Sequence, residues 1–259
     1  MMSNMSNDFS KAASGTAPSR TAEALVTTAA GAALGWFVGG LVHPIVGSVM
    51  AAIAGLNGAI SGWRQVYGWC SLSGWLAFVL DSTWATLSIG VGLLTHVVGR
   101  MKGALGFEPA LSRRQNQHVY RHGFSLQPGF ALTVGNVISG AGDVDVPRRC
   151  KLITDHEAVH VWQARWFGPL YLPLYGLWSL FGIVGGIVVW LRGGRKEKIG
   201  KAIESCSYYM NPYEWWAYSR DDLWPPSGKL QGVGWSKACA RPLVDVRAAR
   251  AKKATTPKA

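Results

Sequence analysis

Charge is laid out along this chain in blocks. No Asp, Glu, Lys or Arg occurs from Ala24 to Trp63, from Thr83 to Gly99, or from Trp166 to Leu191. Such runs approach or exceed the roughly 20 apolar residues that carry a helix across a hydrocarbon core. In the first block Gly31, Gly35 and Gly39 recur every four residues, and Gly58 and Gly62 repeat that step. Small residues at this spacing share one helix face and let two backbones approach closely. His43-Pro44 interrupts the block, so the pattern predicts helices over 24–42 and 45–67 folded into a glycine-zipper hairpin, with His43 in the turn. Packing within one chain is the first reading of the zipper, and a homo-oligomer through the same faces is the alternative. Ser73 to Val98 predicts the next helix. Asp81 interrupts its apolar run, and a carboxylate at membrane depth needs a partner or water.

The second half is more broken. Phe130 to Val134 and Val137-Ile138 alternate in strand fashion, which predicts a β-hairpin over 119–127 and 130–138 with Pro128-Gly129 near its turn. A helix is predicted over 153–166, ended by Gly168-Pro169. Leu170 to Leu191 is apolar but carries Pro173, Gly176 and Gly185-Gly186. Further helices are predicted near 197–207 and from Asn211, where Asn211 as N-cap and Pro212 at the first helical position make a good start. The expected organisation is a disordered segment at 1–21, a glycine-zipper membrane region at 22–99, a region at 100–226 with a membrane-embedded or re-entrant stretch at 169–191, and a disordered basic tail at 227–259.

Composition agrees with a mainly α membrane protein. The chain is 49% hydrophobic and 15% charged, against a globular norm of about 25% charged. Its net charge of +12 reads first as orientation and attraction to anionic headgroups, so membrane lipids are expected partners. No nucleic-acid fold signature accompanies the basic clusters, and nucleic acid is not an expected partner. Cys70, Cys150, Cys206 and Cys239 show no C-x-x-C spacing, and Cys70, among apolar residues, is expected as a buried thiol.

The chemistry is concentrated in His156-Glu157-Ala158-Val159-His160. This H-E-x-x-H string places two imidazoles one helical turn apart on one face, where they can fill two corners of a tetrahedral zinc site. Glu157 lies near the metal and can take a proton from a water there, then pass it to a leaving group. The competing role for Glu157 is structural: Thr154 and Glu157 also fit a capping box. A third ligand must come from elsewhere, and no histidine follows His160. Glu197, Glu204, Glu214, Asp221, Asp222 and Cys206 are the candidates, and Glu214, fixed in the first turn of a predicted helix, is the best. Asp221 can orient a ligand histidine from behind. An oxyanion donor is required in principle, and Tyr213, Tyr218 and His122 are candidates.

His156-Glu157-Ala158-Val159-His160 followed by Glu214-Trp215-Trp216-Ala217 resembles the H-E-x-x-H … E-x-x-A pattern of gluzincin metallopeptidases. In layout it is most similar to the integral-membrane CAAX-prenyl-protease and heat-shock-protease group. That resemblance implies His156, His160 and Glu214 on Zn2+, Glu157 as general base, and peptide-bond hydrolysis near a membrane. Tyr218 stands where that group usually has Asp, so Asp221 or Asp222 would have to substitute. The layout also resembles uncharacterised bacterial glycine-zipper membrane proteins with H-E-x-x-H-x-x-Q, here including Gln163, followed by Gly168-Pro169-Leu170-Tyr171-Leu172-Pro173.

The expectation is therefore a zincin-like site in a zinc-dependent membrane hydrolase, a metallopeptidase acting on a peptide or protein substrate. The rival is a non-enzymatic glycine-zipper membrane protein whose metal only staples helices, with Cys206 or Cys150 closing the site. The basic stretches at 100–121, 147–151 and 192–201 and in the tail read as cytoplasmic. They place the zinc site at the cytoplasmic face of a bacterial inner membrane and make 169–191 re-entrant, hairpin-like or interfacial. The hairpin near 119–138 offers an edge to an extended peptide. Trp162, Trp166, Trp215 and Trp216 read as interfacial anchors.

Overall fold

The computed structural model describes residues 19–101, 106–125, 129–222 and 224–255. Residues 1–18 of the expected disordered segment, and Pro128 of the expected turn, lie outside them. Helix α1 (Arg20–Gly40) starts earlier than expected, because the Ser19 side chain accepts from the Ala22 amide. Helix α2 (Pro44–Trp63) is capped by His43, whose ring nitrogen accepts from the Ile45 amide, with Pro44 at the first helical position. The glycines bring the two backbones into contact. A Cβ on Gly35 would stand 2.7 Å from the Met50 carbonyl oxygen and one on Gly31 2.9 Å from that of Ala54, while one on Gly58 would overlap the Thr27 carbonyl. The Thr27 hydroxyl crosses the seam to the Gly58 carbonyl at 2.7 Å. Both glycine faces are thus occupied by each other, and a second copy of the chain would have to use another surface.

The expected single helix at 73–98 is two helices. Helix α3 (Leu72–Ser82) and helix α4 (Thr86–Met101) meet at a bend of 88°. Thr83 leaves helical geometry at φ −131°, ψ −91°, and the Trp84 indole donates to the Trp166 carbonyl at 3.1 Å. The bend puts fully buried Asp81 against Arg165 of the motif helix, in two contacts of 2.8 and 2.9 Å. Tyr67 and Asn136 also donate to Asp81, and Arg165 donates to the Asn116 carbonyl. Beyond the bend, α4 buries Ser88, Ile89 and His96 and leaves Leu87, Leu94 and Val97 exposed.

After the short α5 (Pro109–Ser112) come β1 (His118–Val119), β2 (Leu132–Val134) and β3 (Val137–Ser139), in the spatial order β1-β3-β2. The expected hairpin is corrected here. The antiparallel pair is β2 with β3, while residues 118–119 pair in parallel with β3. The turn is Gly135-Asn136. Gly135 has φ +58°, and a Cβ there would press on the Ser88 carbonyl at 2.5 Å, so only glycine seats this turn on α4. β2 is an edge strand.

The motif lies in one long helical run: α6 (Pro147–Lys151), a π turn at Leu152–Glu157, α7 (Ala158–Phe167), a 3-10 turn at Gly168–Leu170 and α8 (Tyr171–Arg192). The run starts at Pro147, so Thr154 and Glu157 form no capping box, and the Thr154 hydroxyl meets Asp155 instead. The sheet packs on this run through Val119, Ile138, Ala141, Val144, Ile153 and Val161. Pro173 is tolerated in the first turn of α8. After that 3-10 turn the rest of the 169–191 stretch is the single helix α8, and α9 (Ile199–Glu204) with a π turn at Ser205–Tyr209 returns antiparallel along it. Gly182 and Gly186 make that return fit, since a Cβ on them would stand 2.7 Å from the Cys206 carbonyl oxygen and 2.5 Å from the Ile203 Cα. Helix α10 (Pro212–Arg220) follows.

The tail is also corrected. Leu243–Thr255 forms α11, and Arg247 meets Asp155 at 2.9 Å. Cys70 is exposed, in the loop before α3, and all four cysteines are free. Among the described residues three helices are long and apolar enough to cross a membrane: α1, α2, and the run that ends in α8. Their outer faces expose Trp36, Phe37, Leu41 and Val42 at the hairpin tip, and Leu180, Phe181 and Val184 on α8.

Two stability measurements in detergent check this packing. Gly58→Ala should cost about 1–3 kcal/mol because its methyl meets backbone that cannot move aside, whereas Gly176→Ala, with nothing within 4 Å, should be neutral or stabilising. Asp81→Asn strips a buried guanidinium of its counter-charge and should cost about 3–5 kcal/mol. Asp81→Leu with Arg165→Met should recover a large part of that loss, and a purely additive double variant would contradict the coupling.

Candidate metal centre

The two motif histidines sit where the π turn passes into α7. His156 and His160 are both buried, and their Nε2 atoms lie 3.3 Å apart. Glu214 reaches them from the first turn of α10. The Asn211 side chain caps this helix by accepting from the Tyr213 amide, and Pro212 occupies the first helical position. Good helix-start chemistry and an inward-facing Glu214 thus coexist. Glu214 Oε2 is 3.4 Å from His156 Nε2, and Oε1 is 3.4 Å from His160 Nε2.

These three separations are informative together. Donors bound about 2.0–2.1 Å from zinc in a tetrahedron stand about 3.3–3.4 Å from one another. Each imidazole nitrogen stands at about that spacing from the other and from a Glu214 oxygen, His156 facing Oε2 and His160 facing Oε1, and one donor atom from each of the three residues falls within 4.8 Å of the others. Glu214 Oε2 is buried and makes no hydrogen bond, a costly condition that a cation would relieve. Burial opposes ionisation of Glu214, yet His160 and His156 beside it hold its carboxyl below the usual carboxylate range. His156, His160 and Glu214 can hold a metal ion, and no fourth His, Cys, Asp or Glu joins them among the described residues. Cys206 packs beside Gly182 and Gly185 of α8 instead, so the closed, stapling form of site has no cysteine here.

The surrounding groups orient the donors. Gln163 Oε1 lies 2.8 Å from His160 Nδ1 and can only accept there, so Nδ1 donates and Nε2 is the nitrogen turned toward Glu214. The Gln163 amide nitrogen donates to the Tyr213 carbonyl at 2.9 Å. One side chain thus ties the ligand on α7 to the residue before the ligand on α10. Tyr175 donates to Glu214 Oε1 at 2.8 Å. Gln163 was visible in sequence only as part of the H-E-x-x-H-x-x-Q string. Tyr171 and Tyr175 were missed, although their i, i+4 spacing at the start of an apolar helix marks a common face.

Glu157 is placed apart from the ligand set. Its Oε2 accepts from the Thr133 hydroxyl of β2 at 2.6 Å, and it lines a cavity of about 500 Å³ together with His160 and Glu214. The remaining walls are mostly apolar or aromatic, among them Phe124, Phe130, Leu132, Tyr171, Leu172 and Tyr208.

The other expected site residues go elsewhere. Asp221 is buried, but it binds Arg148 at 2.8 and 3.1 Å rather than an imidazole, and Asp222 pairs with Lys151. They register α10 against α6. His156 Nδ1 has no hydrogen-bond partner among the described residues. Tyr218 packs its ring edge-on to His156 at 4.4 Å, in the position where the resembling group carries Asp. Tyr213 packs among Ala164, Tyr171 and Phe167, and His122 is exposed beside Gly106; neither lines the cavity. Tyr208 does line it, and burial first, then the charge of Glu214, keeps its phenol protonated as a donor.

Comparison of the chain with protein-family models, with curated proteins and with solved structures finds no match. Gln163 supplies the sharpest check on this geometry. Gln163→Leu should weaken metal affinity about 10–100-fold in a chelator competition. Gln163→Glu, which keeps an acceptor for His160 Nδ1, should lose less. Unchanged affinity in the leucine variant would show that the contact positions nothing.

Proposed function

We propose that this protein is a zinc-dependent, membrane-associated hydrolase, and a metallopeptidase by reaction type. The observation that carries the reading is the convergence of buried His156, His160 and Glu214, whose imidazole nitrogens stand 3.3 Å apart and each lie 3.4 Å from a Glu214 oxygen, close enough to share one ion. Two imidazoles and a carboxylate are a donor set that zinc takes in catalytic sites. Bound there, zinc supplies a Lewis acid and lowers the pKa of water towards neutrality.

The remaining steps belong to side chains of this chain. Glu157 removes a proton from the attacking water and delivers it to the departing amine nitrogen. The Thr133 hydroxyl holds one Glu157 oxygen and leaves the other for this transfer. Tyr208, a protonated phenol on the cavity wall, is placed to donate to a developing oxyanion.

A peptide substrate is supported by the strand beside the site. Phe130 to Val134 line the cavity as consecutive residues. Strand side chains alternate between faces, so a consecutive run meets a cavity through the strand's edge. β2 is an edge strand and can pair with an extended backbone. The apolar walls favour apolar side chains next to the scissile bond.

Membrane association rests on the three long apolar helices. The Lys and Arg residues of the short stretches at 147–151 and 192–201, which flank the apolar run, support a site on the cytoplasmic face of a bacterial inner membrane. The basic turn at 192–201 lies about 26 Å from Tyr175 along α8 at 1.5 Å per residue. For both ends to face the cytoplasm, α8 lies along the interface instead of crossing.

The test is Glu157→Gln in detergent-purified protein, assayed on a quenched apolar peptide. Zinc content should remain at one per chain while turnover falls about 10²–10⁴-fold. Full activity in that variant, or no zinc in the wild type, would refute the hydrolase reading.

A further inference from the structure

A second cavity, of about 720 Å³, lies against a different face of the motif helix from the metal donors. Ala158, Val159, Trp162 and Trp166 of α7 form one wall, while His156, His160 and Gln163 project elsewhere around the same helix. The opposite wall is Trp216 and Arg220 of α10 with Leu243 and Arg247 of α11, and Gln115, Asn116 and Gln117 close one end.

We propose that this cavity binds the phosphate head of an anionic lipid. Its chemistry is divided as such a ligand requires. Two arginines, Arg220 and Arg247, and the polar residues Gln115, Asn116 and Gln117 are among its lining, and no Asp or Glu is among the described lining residues. Each guanidinium is only partly engaged among the described residues. Arg247 meets Asp155 at 2.9 Å through one nitrogen, and Arg220 donates to the Arg241 carbonyl at 3.1 Å through one nitrogen. A guanidinium carries five N–H donors in a fork that fits phosphate oxygens, so both retain donors.

The rest of the lining is largely apolar and includes three tryptophans, of which Trp162 and Trp166 stack at 5.9 Å. Trp166 is 53% exposed, and next to Ser73 on the rim Leu72 is 75% exposed. The cavity therefore opens onto apolar surface, where acyl chains can leave the head they carry. A free phosphate would use only the polar half. Indole rings are at home at this depth of a bilayer. This site stands whether or not the metal centre is catalytic.

The full chain in an uncharged detergent provides the test. Its tryptophan fluorescence is titrated with brominated phosphatidylglycerol, with brominated phosphatidylcholine, and with inorganic phosphate as competitor. Phosphatidylglycerol should quench at lower mole fraction than phosphatidylcholine, and inorganic phosphate should not displace it. Arg220→Gln, which leaves the Arg247–Asp155 pair intact, should reduce that preference about fivefold, and Arg220→Gln with Arg247→Gln about 25-fold. Trp216→Phe should lower the quenching amplitude and keep the half-saturation point. Equal quenching by the two lipids, or an undiminished preference in the Arg220→Gln variant, overturns the proposal. Full displacement by inorganic phosphate also overturns it and makes the cavity a phosphate site.

Discussion

The ion pair between Asp81 and Arg165 is the constraint on which the arrangement depends. Both side chains are almost wholly buried, and a buried carboxylate without its counter-charge is strongly destabilising. Asp81 ends the first half of a broken apolar helix, and Arg165 belongs to the motif helix. The same cluster takes in Tyr67 after the glycine hairpin, Asn116 before the sheet and Asn136 in the β2–β3 turn. The exit of the glycine hairpin, the broken helix, the sheet and the motif helix therefore meet at one charge pair. Such pairs add little net stability compared with apolar packing, and their best-attested use is to fix register. Here the register fixed is that of α7 against the membrane helices and the sheet.

From that fixed helix the metal centre follows in short steps. α7 presents His160 and Gln163 on one face, and Gln163 grips the backbone just before Glu214. Arg148–Asp221 and Lys151–Asp222 hold the far end of α10 to the start of the same helical run. α10 is thus tied at both ends, and Glu214 has little freedom to leave the imidazoles. Thr133 on β2 draws Glu157 towards the strand edge, away from the ligand set. Adjacent residues on a helix project about 100° apart, and these neighbours hold Glu157 apart from His156, His160 and Glu214.

Much of this was legible in sequence where local physics decides it. Glycines every four residues gave the α1–α2 seam, and Pro44 after His43 gave its turn. The histidine pair, and Glu214 at a capped helix start, gave the donor set. What the chain alone did not disclose depended on distant partners. Asp81 called for a partner, but nothing local named Arg165 or the 88° bend that brings them together. Asp221 was expected to serve an imidazole, yet Arg148 claims it through pairing with α6. The hairpin was misassigned because Gly135-Asn136, the true turn, sits inside what reads as a continuous strand pattern. Gly182 and Gly186 carry the same four-residue step as the first zipper, but the neighbouring Gly185 made them look like a break.

The central claim is that two imidazole nitrogens and one carboxylate oxygen converge on a single divalent ion. X-ray absorption spectroscopy at the zinc edge of the zinc-loaded full-length protein measures that shell directly. The account predicts four light N/O scatterers at about 2.0–2.1 Å, with the outer-shell pattern of two imidazoles. A sulfur scatterer near about 2.3 Å, or a shell without imidazole, would contradict it.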